Sequence, residues 1–168
     1  MLFRSIGLGY LKTLQLEGLG IKRVDNLKNL IVSNLYLAVN PLESLEPIGM
    51  NQFIRTLDLS STEVKRLPDM SGMKELKMLE LLRSKIVSLD NIQTIPNSID
   101  LNILECDELE DIDALRFAKI KRLYIGKDGI NSIGGQGDTK GLYDKNKDWF
   151  DKYLPQLKIG RASCRERV

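Results

Sequence analysis

The sequence predicts an α/β solenoid: a right-handed arc of stacked coils with a parallel β-sheet on its concave side and irregular or 3₁₀ segments on its convex side. Three observations predict it. Leu35, Leu57, Leu79, Leu101 and Leu123 recur every 22 residues without a slip. Each is followed two positions later by a second apolar residue: Leu37, Leu59, Leu81, Ile103 and Ile125. Further apolar positions then trail at wider spacing, as Val64, Leu67 and Met70 do in the coil that opens at Ile54. Self-similarity at a fixed period of roughly 20 to 50 residues marks a stacked repeat array. The cause is physical. Alternation in Leu57-Asp58-Leu59 puts both leucines on one face and the aspartate on the other. One such strand cannot bury its leucines alone, so neighbouring coils must stack and share a core.

The first full coil turns Leu11, Leu14, Leu16, Ile21, Val24 and Leu27 inward, and its step to the next is 21 residues rather than 22. Ahead of it, Phe3 and Ile6 stand 11 and 8 residues before Leu14, as Val24 and Leu27 stand before Leu35, so they read as the end of an earlier coil. The second coil begins at Asn34 and carries Asn40-Pro41, a turn signal that places the proline outside the strand. The third is the opening cassette. In the fourth, Leu76, Leu79, Leu81, Ile86, Leu89 and Ile92 face inward. In the fifth, Leu109 and Ile112 arrive one residue late, and the register recovers by Leu123. Its acidic run (Asp107, Glu108, Glu110, Asp111, Asp113) lacks the glycine and ligand spacing of a known calcium loop, and reads as a solvated convex edge. The sixth coil ends at Ile133.

One position per coil marks where the chain turns inward: Asn40, Thr62, Ser84, Cys106 and Asp128. Turning there buries backbone groups that need hydrogen-bond partners. Strand motif, period and turn position together resemble the leucine-rich repeat family. The coil length is similar to that of bacterial internalins and phosphatase-regulating leucine-rich proteins. The resemblance spans roughly Phe3 to Ile133. It implies that Asn or Cys at the turn bonds the backbone of the adjacent coil, a habit that Asn40 and Cys106 fit; Thr62, Ser84 and Asp128 offer weaker versions. It also implies a binding role.

Composition narrows the chemistry. The chain has 168 residues, enough for one domain, and no histidine, which excludes His-based triads, HExxH zinc sites and imidazole switches. No apolar run is long enough to span a bilayer, and no signal peptide is expected, since Met1-Leu2-Phe3-Arg4 leads straight into repeat-like residues. The solenoid occupies residues 1–135. A glycine-rich linker and a short helix with Trp149, Phe150, Tyr153, Leu154 and Leu157 fill 136–158, and the helix is expected to cover the last coil. The final stretch, 159–168, resembles an in-frame translation of a sequencing adapter and is read as a non-native tail packed against nothing. Removing its three arginines and one glutamate turns 25 basic and 23 acidic residues into 22 of each, so net charge gives no argument for nucleic acid. Without Cys164, Cys106 stands alone as a structural thiol.

The outward strand positions form rows. The central row is Gln15, Tyr36, Asp58, Glu80, Asn102, Tyr124; the row before it is Thr13, Asn34, Thr56, Met78, Asp100, Arg122; the row after is Glu17, Ala38, Ser60, Leu82, Leu104, Gly126. From these, Tyr36, Asp58, Met78, Glu80, Leu82, Asp100, Asn102, Leu104 and Tyr124 are the expected partner-binding residues, because apolar neighbours on adjacent strands tend to mark interfaces. Asp58 and Glu80 also stand near the separation of a retaining glycosidase pair, but a shallow sheet excludes no water, so no catalytic role is expected. The expected function is non-enzymatic protein recognition, with no cofactor, metal, nucleic acid or membrane partner. Alternatives are a repeat segment of a larger enzyme or surface protein, and a carbohydrate-binding or processing protein. Uncapped ends would favour self-association.

Overall fold

A computed structural model describes residues 10–27, 29–110 and 112–126. Within them the chain is a parallel-strand solenoid. Six strands, β1 (Leu11–Gln15), β2 (Val32–Tyr36), β3 (Thr56–Asp58), β4 (Met78–Glu80), β5 (Ile99–Leu104) and β6 (Ile120–Gly126), form one sheet in sequential order. Every neighbouring pair is parallel. The register is the one the repeat dictates: Leu35 pairs with Leu57, Leu57 with Leu79, Leu79 with Leu101 and Leu101 with Leu123. The shorter first step also holds, with Leu14 opposite Leu35.

Burial explains why the register cannot slip. In β3 and β4 only the central leucine is buried while its two neighbours are half-buried, so a one-residue slip would send the leucines to solvent. Their partners Leu59 and Leu81 are fully buried, as are Val64, Ile86 and Leu89 from the return segments. Leu109 and Ile112, one residue late, still reach the same continuous core. The first coil packs against it less completely: Val24 is buried, but Leu11, Leu14, Leu16, Ile21 and Leu27 are only partly so. The return segments hold short 3₁₀ turns at Asp25–Leu27, Glu46–Ile48, Ile92–Thr94 and Asp113–Phe117. Two glycines there sit where no Cβ fits. A Cβ on Gly49 would lie 2.3 Å from the Asp69 carbonyl oxygen, and one on Gly72 would lie 2.5 Å from the Met50 Cα.

The turn position behaves as its residue type allows. Asn40, only 2% exposed, donates from Nδ2 to the carbonyls of Leu16 (2.7 Å) and Leu37 (2.9 Å), and its Oδ1 accepts from the amides of Leu19 (3.1 Å) and Ile21 (2.9 Å). It thus ties the first coil to the second. Cys106 reaches the preceding coil too, donating to the Leu81 carbonyl at 3.0 Å, and Ser84 lies 3.6 Å from its sulfur. Burial pushes the Cys106 thiol up, which suits a structural role. Thr62 differs: its hydroxyl donates to Leu59 of its own coil at 2.7 Å.

Next to each turn residue is a second ladder. Val39 (φ 56°), Ser61 (φ 55°), Arg83 (φ 56°) and Glu105 (φ 54°) all adopt the left-handed conformation, and the first coil has Gly18 (φ 65°) at that place. The geometry lets the amides of the first four bond the next coil: Gly18 to Ala38, Val39 to Ser60, Ser61 to Leu82 and Arg83 to Leu104, at 2.7–3.0 Å. A β-branched residue is the worst fit there. Val39 is 63% exposed, so it recovers little by packing. Val39→Gly is expected to raise stability by about 1 kcal/mol, read as a higher urea midpoint.

Several expectations fall outside the described residues: the earlier coil at Phe3 and Ile6, the turn at Asp128, the linker and helix of 136–158, and the tail 159–168.

Candidate functional site

Three rows of outward side chains cross the sheet, and the backbone pairing places them as the repeat predicts. Tyr36 is opposite Asp58, Asp58 opposite Glu80, Glu80 opposite Asn102, and Asn102 opposite Tyr124. In the preceding row Thr56, Met78, Asp100 and Arg122 stand in succession. Tyr36, Asp58, Met78, Glu80, Leu82, Asn102 and Tyr124 are half-buried.

Leu104 departs from the expectation of an exposed apolar residue. It is 8% exposed, although it lies outside the continuous core. It stands in longer strands: β5 and β6 carry the pairing on to Leu104 opposite Gly126, where the shorter β3 and β4 have already ended. The apolar part of the face is therefore Met78 and Leu82.

The polar part is a chain of hydrogen bonds around carboxylates. Asp58 Oδ1 accepts from the Ser60 amide (2.9 Å) and hydroxyl (2.6 Å). Asn102 Nδ2 donates to Glu80 Oε2 at 2.6 Å, while its Oδ1 accepts from the Leu104 amide at 3.1 Å. Asp100, 8% exposed, accepts from the Arg122 guanidinium through Oδ2, and its buried Oδ1 receives no hydrogen bond from the described residues. Bonding to Asp100 in turn raises the Arg122 pKa. Arg122 was not among the expected site residues. Its place 22 residues after Asp100 was the signal, since opposite charges one period apart meet across adjacent strands. Arg83 and Glu105, bonded at 2.5 Å, follow the same rule.

Burial, with repulsion from Asp58 and Asp100 added, pushes the Glu80 carboxyl above the usual range, although the Asn102 bond opposes this. The folded state then holds that proton more tightly than the unfolded chain. Glu80 thus favours folding at acid pH, and the contribution is lost as pH rises through its raised pKa. Glu80→Gln keeps a partner for Asn102 without the charge. It is expected to raise Tm at pH 7, with the gain over the parent shrinking as pH falls toward about 4.

A second surface feature escaped the sequence reading. Tyr10, Ile31 and Phe53 occupy one repeat position on successive coils and are all exposed, as is Met50 beside them. A cavity of about 280 Å³ lies here, lined by Asn29, Leu30, Ile31 and the stretch from Met50 to Phe53. Their spacing of 21 or 22 residues was the signal, four positions ahead of each strand leucine.

On the acidic edge of the fifth coil, Glu108 pairs with Lys85 at 3.0 Å. Among the described residues no group of three or more acidic or cysteine side chains could hold a metal ion, and no helix is long and apolar enough to cross a membrane. Comparison of the chain with protein-family models, with curated proteins and with solved structures returns no match.

Proposed function

We propose that the chain is a non-enzymatic protein-recognition module of the leucine-rich repeat type, using the outward face of its sheet as the contact surface. The observation that carries this is the row Tyr36, Asp58, Glu80, Asn102, Tyr124, held in register by the backbone and flanked by Met78 and Leu82. A sheet fixed on its other face by a close-packed core presents these side chains with little conformational freedom left to lose, which lowers the cost of association. Tyrosine adds contact area at low entropic cost, and half-buried Met78 and Leu82 supply apolar anchors of the kind that dominate interfaces.

The test is capture of a partner by the wild-type chain, repeated with Leu82→Glu. Leu82 lies outside the core, so the fold should survive by circular dichroism while capture falls by about tenfold or more. Leu104 is not a clean second probe, because a charge there would be buried. Capture unaffected by Leu82→Glu would move the contact surface elsewhere.

A further inference from the structure

We propose that the outward face over β3 and β4 takes a lysine- or arginine-bearing segment of a partner protein, its cations seated on Asp58 and Glu80. The inference rests on the protein-recognition reading given above and names the chemistry of the partner. Across the three outward rows the acids are Glu17, Asp58, Glu80 and Asp100, against the single cation Arg122. Arg122 is already committed to Asp100. Carboxylates opposite one another on neighbouring strands, about 4.8 Å apart, repel and weaken a sheet. Asp58 and Glu80 are such a pair. Their hydrogen bonds relieve this only in part, since Ser60 serves one oxygen of Asp58 and Asn102 one oxygen of Glu80. Among the described residues, Asp58 Oδ2 and Glu80 Oε1 have no hydrogen-bond partner. Asp100 is closed to a partner, since Arg122 holds its Oδ2 and its Oδ1 is buried. Two carboxylates with unused acceptors on adjacent strands form a surface complementary to positive charge.

The neighbours favour a side-chain cation over a bare ion. Met78 on the strand of Glu80, and Leu82 in the turn two residues past it, offer an apolar bed for the aliphatic stems of lysine or arginine. Tyr36 and Tyr124 bound the row and present rings on which a guanidinium can stack. A polyanion such as nucleic acid would be repelled by the same charges.

The experiment measures fluorescence anisotropy of a short labelled peptide alternating arginine and serine, titrated with the full chain. Three forms are compared: wild type, Asp58→Asn with Glu80→Gln, and a control with Glu63→Gln and Glu75→Gln, which removes two exposed acids from the return segments. The face variant is expected to weaken binding about tenfold or more, and the control less than about twofold. Equal losses in the two variants, or none in either, would overturn the proposal. Peptides selected on the wild-type chain from a random display library then separate the two readings. Enrichment in lysine and arginine, lost with Asp58→Asn and Glu80→Gln, supports the basic partner. Selected peptides that depend on Leu82 but not on these acids would overturn the basic partner and leave the recognition surface standing. Selected peptides indifferent to both sets of changes would remove the surface itself.

Discussion

Replacing Leu79 with alanine is expected to destabilise the protein by about 3 to 4 kcal/mol. Leu79 is fully buried at the centre of β4, paired on one side with Leu57 and on the other with Leu101, so a truncated side chain leaves a cavity walled by two fixed strands. Backbone hydrogen bonds to both neighbours prevent the coil from collapsing into the space. The equivalent change at Leu14 is expected to cost only about 1 to 2 kcal/mol, because that leucine is merely half-buried in the first coil. Urea denaturation of both variants checks the contrast. Similar losses at the two positions would mean that the first coil is as tightly packed as the fourth.

Asn40→Ala is expected to be the most damaging polar substitution, at about 3 kcal/mol or more. One side chain serves the Leu16, Leu37 and Ala38 carbonyls and the Leu19 and Ile21 amides, in a setting almost closed to water. Alanine would leave several backbone groups without partners, and the damage should fall on the seam between the first two coils. Thr62→Val at the equivalent turn removes one bond, to Leu59, and is expected to cost about 1 kcal/mol. Hydrogen exchange should report the difference in place as well as size: Asn40→Ala is expected to speed exchange of the Leu16 and Gly18 amides, which bond across that seam.

These contrasts show which features the residues wrote down. The alternating leucines settle the strands and their register, because burial on one face permits only one alignment. Asn40 and Cys106 were readable as cross-coil ties, since both side chains can bond backbone groups of a neighbour. Thr62 was not, because a hydroxyl on so short a stem satisfies its own coil first. The left-handed ladder at Val39, Ser61, Arg83 and Glu105 is silent in the sequence, as none of these residue types prefers that conformation. Only Gly18 hints at it. Similarly, Leu104 reads as an outward residue by alternation, which does not register its burial. The cross-strand pairs Asp100 with Arg122 and Arg83 with Glu105 were legible in principle, by reading charge rather than hydrophobicity at the repeat distance.

The close approach at Gly49 and Gly72 bears on how the stack bends. On the sheet side, the rise from coil to coil is fixed by the length of a backbone hydrogen bond. On the return side such bonds join later coils, Val87 to Lys65 and Glu110 to Val87 at 3.0 Å, and elsewhere the local pitch follows how closely the opposing atoms approach. Between the second and third coils those atoms are bare backbone, with Gly49 against Asp69 and Gly72 against Met50. A methyl group at either place would act as a wedge driven into the outer rim, tilting all the coils beyond it as one arm. Two missing side chains therefore let the return segments of the second and third coils close to backbone contact behind the strands that carry Tyr36 and Asp58.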